Sequence, residues 1–201
     1  MVRSSKFDPA EFVDAAIALL AEGGPTAVTM AAIARRSGAP TGSIYHRFPS
    51  RSAVVAAAWL RALTVLAGAI EAALVSAAPK GAGTTLVAWS RRHPKEAKVL
   101  FLNEPAGLFD TAPPEELSAA IRAEEARIDQ AFQSALDIAA PSADRAEAFA
   151  RLRFAIIDGP VALVRPYLQS GESIPEFVDA VADSLGALIP TERRAPAPQA
   201  A

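Results

Sequence analysis

The chain has 201 residues, 51% of them hydrophobic, no cysteine and a net charge of −2. That length can bury one large core or two small ones. The near-neutral charge excludes a polycation that coats nucleic acid indiscriminately, and the missing cysteines exclude a disulfide framework, a thiolate nucleophile and a thiolate metal site.

Strand signals are scarce, whereas Ala, Leu, Glu and Arg recur at helical spacing, so the expected fold is all-α with about nine helices. Asp8-Pro9 opens a first helix in the favoured order of cap then proline, with Val13, Ile17 and Leu20 on one face, and Gly23-Gly24-Pro25 closes it. Thr29 caps a second helix that ends at Gly38, and a short helix is expected over residues 41–48. Pro49-Ser50 then starts a long helix to about Ser76, followed by a loop over residues 79–83. Residues 86–92 and 94–103 read as two short helices divided by Pro94, and residues 104–114 as another loop. Residues 115–139 form a charged amphipathic helix with Leu117, Ile121, Ile128, Phe132 and Leu136 on its apolar side. Pro141-Ser142 opens the penultimate helix, which Asp158-Gly159-Pro160 should kink. The last helix is expected over residues 175–189 with Val178, Val181, Leu185 and Leu188 in register, and residues 191–201 as a disordered tail. The apolar stretch 53–70 is interrupted by Arg61 and rich in alanine, which favours a helix buried by protein over a bilayer span. Residues 1–8 lack the apolar core of a signal peptide, so a cytoplasmic location is expected.

Positive charge is concentrated at one end. Residues 1–61 hold seven Lys/Arg against four Asp/Glu, a net +3, which leaves −5 for residues 62–201. Between Glu22 and Glu71 there is no carboxylate, and the full charges are Arg35, Arg36, Arg47, Arg51 and Arg61. An acid-free basic segment on a helix, turn and helix suits a surface that faces DNA phosphates, where a misplaced carboxylate would repel the polyanion. At about 100° per residue, Ile44 and Phe48 fall on one side of the short helix, with Gly42 and His46 opposite, Ser43 beside them, and Tyr45 and Arg47 on the flanks. The apolar pair can pack on Ala34 and the first helix while short polar residues face outward, the division a recognition helix in a major groove needs.

Thr29, Ile33-Ala34, Gly38, Gly42 and the run from Ile44 through Tyr45, His46, Arg47, Phe48, Pro49 and Ser50 to Arg51 resemble the N-terminal helix-turn-helix of TetR-family (tetracycline-repressor-like) transcriptional regulators. The resemblance covers roughly residues 8–60 and extends more loosely to the rest. Ala39 stands where the family has a larger aliphatic residue, and Arg51 where lysine is commoner. The resemblance implies that Thr29, Tyr45 and Arg51 hold phosphates, that Thr41, Ser43 and His46 approach bases, that Gly42 admits the backbone closely, and that Arg47 takes a phosphate or a base edge. Arg36 is a further phosphate candidate. The residues alone leave plainer roles open: Thr29 as only an N-cap, Tyr45 as a packing residue, Arg35 and Arg36 as solvated charges.

No enzyme can be assembled from the sequence. The histidines are His46 and His93; His93 and Glu96 make a pair and not a metal site, and Lys80-Gly81 to Thr85 lacks the ending and the preceding strand of a phosphate cradle. No cofactor is expected. The expected domains are residues 1–50 for DNA binding and 51–190 for ligand binding and dimerisation. Trp89, Phe101, Leu102, Leu108, Phe109, Phe132 and Phe154 are candidates to line an apolar cavity, with His93 and Asn103 as polar groups to orient a ligand. The resemblance implies a homodimer through residues 149–168 and 175–189, binding a pseudo-palindromic double-stranded operator and released by a small apolar or amphipathic effector. The alternative is a DNA-binding architectural or partner-recruiting module that senses no small molecule.

Overall fold

In the computed structural model, residues 7–75, 81–139 and 144–189 are described, and among them no strand is formed. The Pro141-Ser142 helix start and the tail over 191–201 lie outside these residues.

Local signals set the first elements. The Asp8 carboxylate accepts the Ala10 N–H at 2.9 Å and Pro9 begins α1 (Pro9–Gly23), which buries Phe12, Val13, Ala16, Ile17 and Leu20. After a 3₁₀ turn (Pro25–Ala27), the Thr29 hydroxyl accepts the Ala32 N–H at 3.0 Å and starts α2 (Met30–Ser37). Gly38, left-handed at φ 66°, ends α2. The next helix, α3 (Thr41–Tyr45), is shorter than the sequence predicts. Its last turn continues as Arg47 and Phe48 N–H bonds to the Ile44 carbonyl, and it stops there because Pro49 disfavours helical backbone at the residue before it.

The long helix α4 (Arg51–Val75) joins two cores. Ala53 to Trp59 and Ala62 pack with Phe12, Ile17, Ile33, Ile44 and Phe48 in the first, whereas Leu66 and Ile70 pack in the second. α4 is apolar and long enough to cross a membrane by composition, but 61% of its apolar window is buried in the fold, as in a core helix.

The second core is built from α5 (Ala82–Arg92), α6 (Pro94–Leu102), α8 (Glu115–Ala139), α9 (Arg145–Arg153), α10 (Gly159–Ser170) and α11 (Phe177–Ser184) around Leu86, Trp89, Phe101, Phe132, Leu136, Leu152, Ile156 and Val164. Between α6 and α8 lies the single turn α7 (Pro105–Leu108), in the segment expected to be loop. Leu108 is fully buried in the first core, which also takes Val99 from α6, with Phe109 and, from α8, Leu117 and Ile121 packed against that core.

Three other elements differ from expectation. α5 begins four residues earlier than predicted, since Gly81 adopts φ 89° and its carbonyl accepts the Thr84 hydroxyl at 2.8 Å. α9 is capped by Asp144, whose carboxylate accepts the Ala146 and Glu147 N–H groups. Where a kink is expected at Pro160, the helix widens instead into a π segment (Phe154–Asp158), and the Gly159 N–H bonds back to the Phe154 carbonyl. One inserted residue in the ladder accommodates the proline's missing donor without ending the helix.

α5 and α11 cross at Gly83. A Cβ there would sit 2.1 Å from the Ala182 carbonyl oxygen, so only glycine fits the crossing. The same pair is tied at the surface by Arg91, which forms two bonds to the Asp179 carboxylate at 2.9 and 2.7 Å.

Candidate nucleic-acid interface and the second core

The helix-turn-helix presents the division of faces that its sequence predicts. Ile44 is fully buried and Phe48 nearly so, while Thr41, Gly42, Tyr45, His46 and Arg47 are exposed and Ser43 is half-buried. Tyr45 is 52% exposed, so it is not a core residue here. Thr29 is exposed, with its hydroxyl oxygen accepting the helix N–H and its own proton free to donate outward. Capping and phosphate contact are compatible in that geometry. A Cβ on Gly42 would meet no protein atom within 4 Å, and its φ is not left-handed. Nothing inside the fold therefore calls for glycine at that exposed helical position.

The arginines divide, which the sequence does not show. α1 brings carboxylates to two of them. Glu22 takes the Arg36 guanidinium through two bonds of 2.5 Å, and Asp14 pairs with Arg61. The hydrogen bonds from Arg36, with its charge, hold the Glu22 carboxyl below its ordinary range and raise Arg36. Arg51, expected at a phosphate, is turned inward. Its Nε donates to the Val28 carbonyl at 2.7 Å, Nη2 to the Pro25 carbonyl at 2.5 Å and Nη1 to the Leu108 carbonyl at 3.2 Å, and Nη1 also lies 2.9 Å from an Asp110 carboxylate oxygen. Both guanidinium groups expected at phosphates, those of Arg36 and Arg51, are thus engaged within the chain in this conformation. Arg35 and Arg47 meet no acceptor side chain or carbonyl among the described residues and stay exposed.

Residues 12–58 match the family model of bacterial regulatory proteins, tetR family. The match identifies the helix-turn-helix region as a tetR-family N-terminal domain. Solved structures of regulators share this fold over most of the chain. The transcriptional regulator FadR from Bacillus subtilis, in complex with stearoyl-CoA, aligns at a TM-score of 0.66 and 16% identity over 90% of this chain and 97% of its own. SmeT, the repressor of the Stenotrophomonas maltophilia multidrug efflux pump SmeDEF, aligns at 0.62 and 16% identity over 98% and 97%. A transcriptional regulator from Rhodococcus sp. Rha1 aligns at 0.62 and 20% identity over 91% and 96%. No curated protein matches in sequence.

The residues expected to line a cavity are only partly brought together. Trp89, Phe101 and Phe132 share the second core, with Leu102 against it. The His93 ring lies 5.4 Å from the Trp89 ring, and Phe101 lies 5.8 Å from it. Leu108 and Phe109 belong to the first core instead, where the Leu108 carbonyl meets Arg51 in the first turn of α4. Phe154 points outward at 47% exposure, and the Asn103 amide donates to the Lys98 and Val99 carbonyls, spent on ending α6. The Trp89 indole N–H is buried without an acceptor. Leaving such a donor unmet costs about 1–3 kcal/mol.

The sequence reading misses a groove of about 460 Å³ between α5, α6 and the end of α10, lined in part by Ser90, Arg91, Lys98, Tyr167 and Ile174. Its residues come from segments some seventy positions apart, so no local signal marks it. Arg91 is committed there to Asp179 and to the Ile174 and Pro175 carbonyls. The Lys98 ammonium has no counter-ion among the described residues.

Proposed function

We propose that the chain is a ligand-responsive repressor that binds a pseudo-palindromic operator as a homodimer and is released by a small apolar or amphipathic molecule. Gly42 is the observation that carries the DNA-facing half. Glycine at an exposed helical position costs stability, and the fold's own packing does not explain it; close approach of a groove wall does. Thr41, Ser43 and His46 are then the base-facing residues, flanked by Tyr45, Arg47, Arg35 and Thr29 at phosphates.

The effector half is supported by a separate second core that keeps an unmet indole donor and a groove with an unpaired lysine. An amphipathic molecule with an anionic or acceptor-bearing end suits that combination. That FadR was solved with stearoyl-CoA supports the same class. Dimerisation is assigned to the outward apolar side chains Phe154, Phe177 and Val181 on the last helices, which would set two copies of α3 about 34 Å apart on one face of a duplex.

A duplex would first be selected from a random pool by the purified protein. A thermal-shift screen of hydrophobic carboxylates and their thioesters, followed by gel shift on that duplex, then tests the effector. A compound that both stabilises the protein and weakens the duplex complex supports the reading. Stabilising compounds that all leave the complex intact would move the assignment to a DNA-binding module that recruits a partner.

A further inference from the structure

Arg51 and Ser52, in the first turn of α4, hold two segments that are distant in sequence. One is the turn from Pro25 to Val28, which leads directly into the Thr29 cap of α2. The other is the stretch from Leu108 to Thr111. It reaches Arg51 through the Leu108 carbonyl and the Asp110 carboxylate, and Ser52 through bonds of 3.2 Å from the Thr111 N–H and hydroxyl to the Ser52 Oγ. The centre of the clasp is enclosed, with the Arg51 side chain 18% exposed, Ser52 1% and Leu108 0%, while Asp110 and Thr111 lie at its exposed rim. Leu108 and Phe109 pack into the first core, and their segment is continuous with α6 and α8, which contribute to both cores.

The geometry points to Arg51 as the positioning residue that fixes the helix-turn-helix against the second bundle, and not as a phosphate contact. A planar guanidinium has donors along three directions and can bind the Pro25 and Val28 carbonyls on one side and the Leu108 carbonyl and Asp110 on the other. An ammonium projects three donors from one point and cannot span both sides, so lysine, which keeps the charge, does not keep the clasp. Any displacement of 105–111 by its flanking helices is handed to the turn that carries Thr29. The inference rests on the DNA-binding role of the first domain and needs no effector.

The test uses the full chain with the duplex that the wild-type protein selects from a random pool, and compares Arg51→Lys, Arg51→Ala and Asp110→Asn. Arg51→Lys should weaken binding about tenfold while the slope of log K against log salt stays at the wild-type value. Amide hydrogen exchange should quicken together in residues 25–29 and 105–112 for Arg51→Lys and, more weakly, for Asp110→Asn. Circular dichroism of each variant checks that the helices remain. A slope reduced by about one in Arg51→Ala would make the residue a phosphate contact and overturn the proposal. Wild-type affinity in Arg51→Lys, or protection lost on one side of the clasp only, would overturn it equally. Exchange is read without DNA, so absence of any duplex binding by the wild-type protein would count against the DNA-facing function and leave the clasp to be judged by exchange alone.

Discussion

Arg47 and Arg36 are eleven positions apart in one basic segment, yet the first is free and the second is held by two bonds to Glu22. A cation that already has a carboxylate releases little on meeting a phosphate, because it must first give up that partner. Arg47→Ala should therefore reduce the salt slope of DNA binding by about one, and Arg36→Ala by much less; equal slopes in the two variants would refute the distinction. At Gly42, alanine should raise thermal stability by up to about 1 kcal/mol while lowering duplex affinity. A Gly42→Ala protein that binds as tightly as the wild type would leave the exposed glycine unexplained by DNA. Asp179 supplies a pH test. Its carboxyl is held below its ordinary value by the Arg91 hydrogen bonds and charge, so the stability it contributes is present above the unfolded carboxylate pKa and is lost as pH falls through the lower folded value. Asp179→Asn should accordingly be less stable than wild type at neutral pH, with the difference shrinking in acid. A difference constant from pH 7 to pH 3 would show that the ion pair is not its source.

At the scale of elements, what the sequence makes legible is what is local. The caps at Asp8 and Thr29 and the stop at Gly38 each depend on partners within four residues, and each is found where it is expected. The inward face of α3 follows from spacing alone, and Ile44 and Phe48 are buried accordingly. The partners of Arg36, Arg51 and Arg61 are not legible, since Glu22, Leu108 and Asp14 lie 14, 57 and 47 positions away. Nor is α7, since its apolar residues give no hint that Leu108 belongs to the first core and not to the helices on either side. The Gly83 crossing is similarly non-local. Gly83→Ala would drive its Cβ into the Ala182 carbonyl, and backbone cannot yield as a flexible side chain does. A loss of at least about 2 kcal/mol in denaturant unfolding is expected, chiefly as a lower midpoint; a variant within about 0.5 kcal/mol of wild type would mean that α5 and α11 can part freely.

At the scale of the whole molecule, an exposed phenylalanine at 62% and an exposed valine at 42%, one helical turn apart on α11, are costly to leave in water. With Phe154 they form the face assigned to the second protomer. Phe177→Glu combined with Val181→Glu should convert a dimer to monomers in sedimentation, keep helical content, and weaken binding to a two-half-site duplex far more than to a single half-site. A double variant that still sediments as a dimer would place the interface elsewhere.

One helix threads both cores, and its proportions have a mechanical consequence. With 25 residues, α4 is about 37 Å long at 1.5 Å per residue. It passes from one core to the other near Ala62, the natural point for a pivot. Pivoting the whole rod by about 5° would carry either tip through roughly 1.5 Å, a shift that would mismatch paired half-sites. A rod of these proportions would turn a slight tilt at one end into a comparable displacement at the other without unfolding any part of the chain.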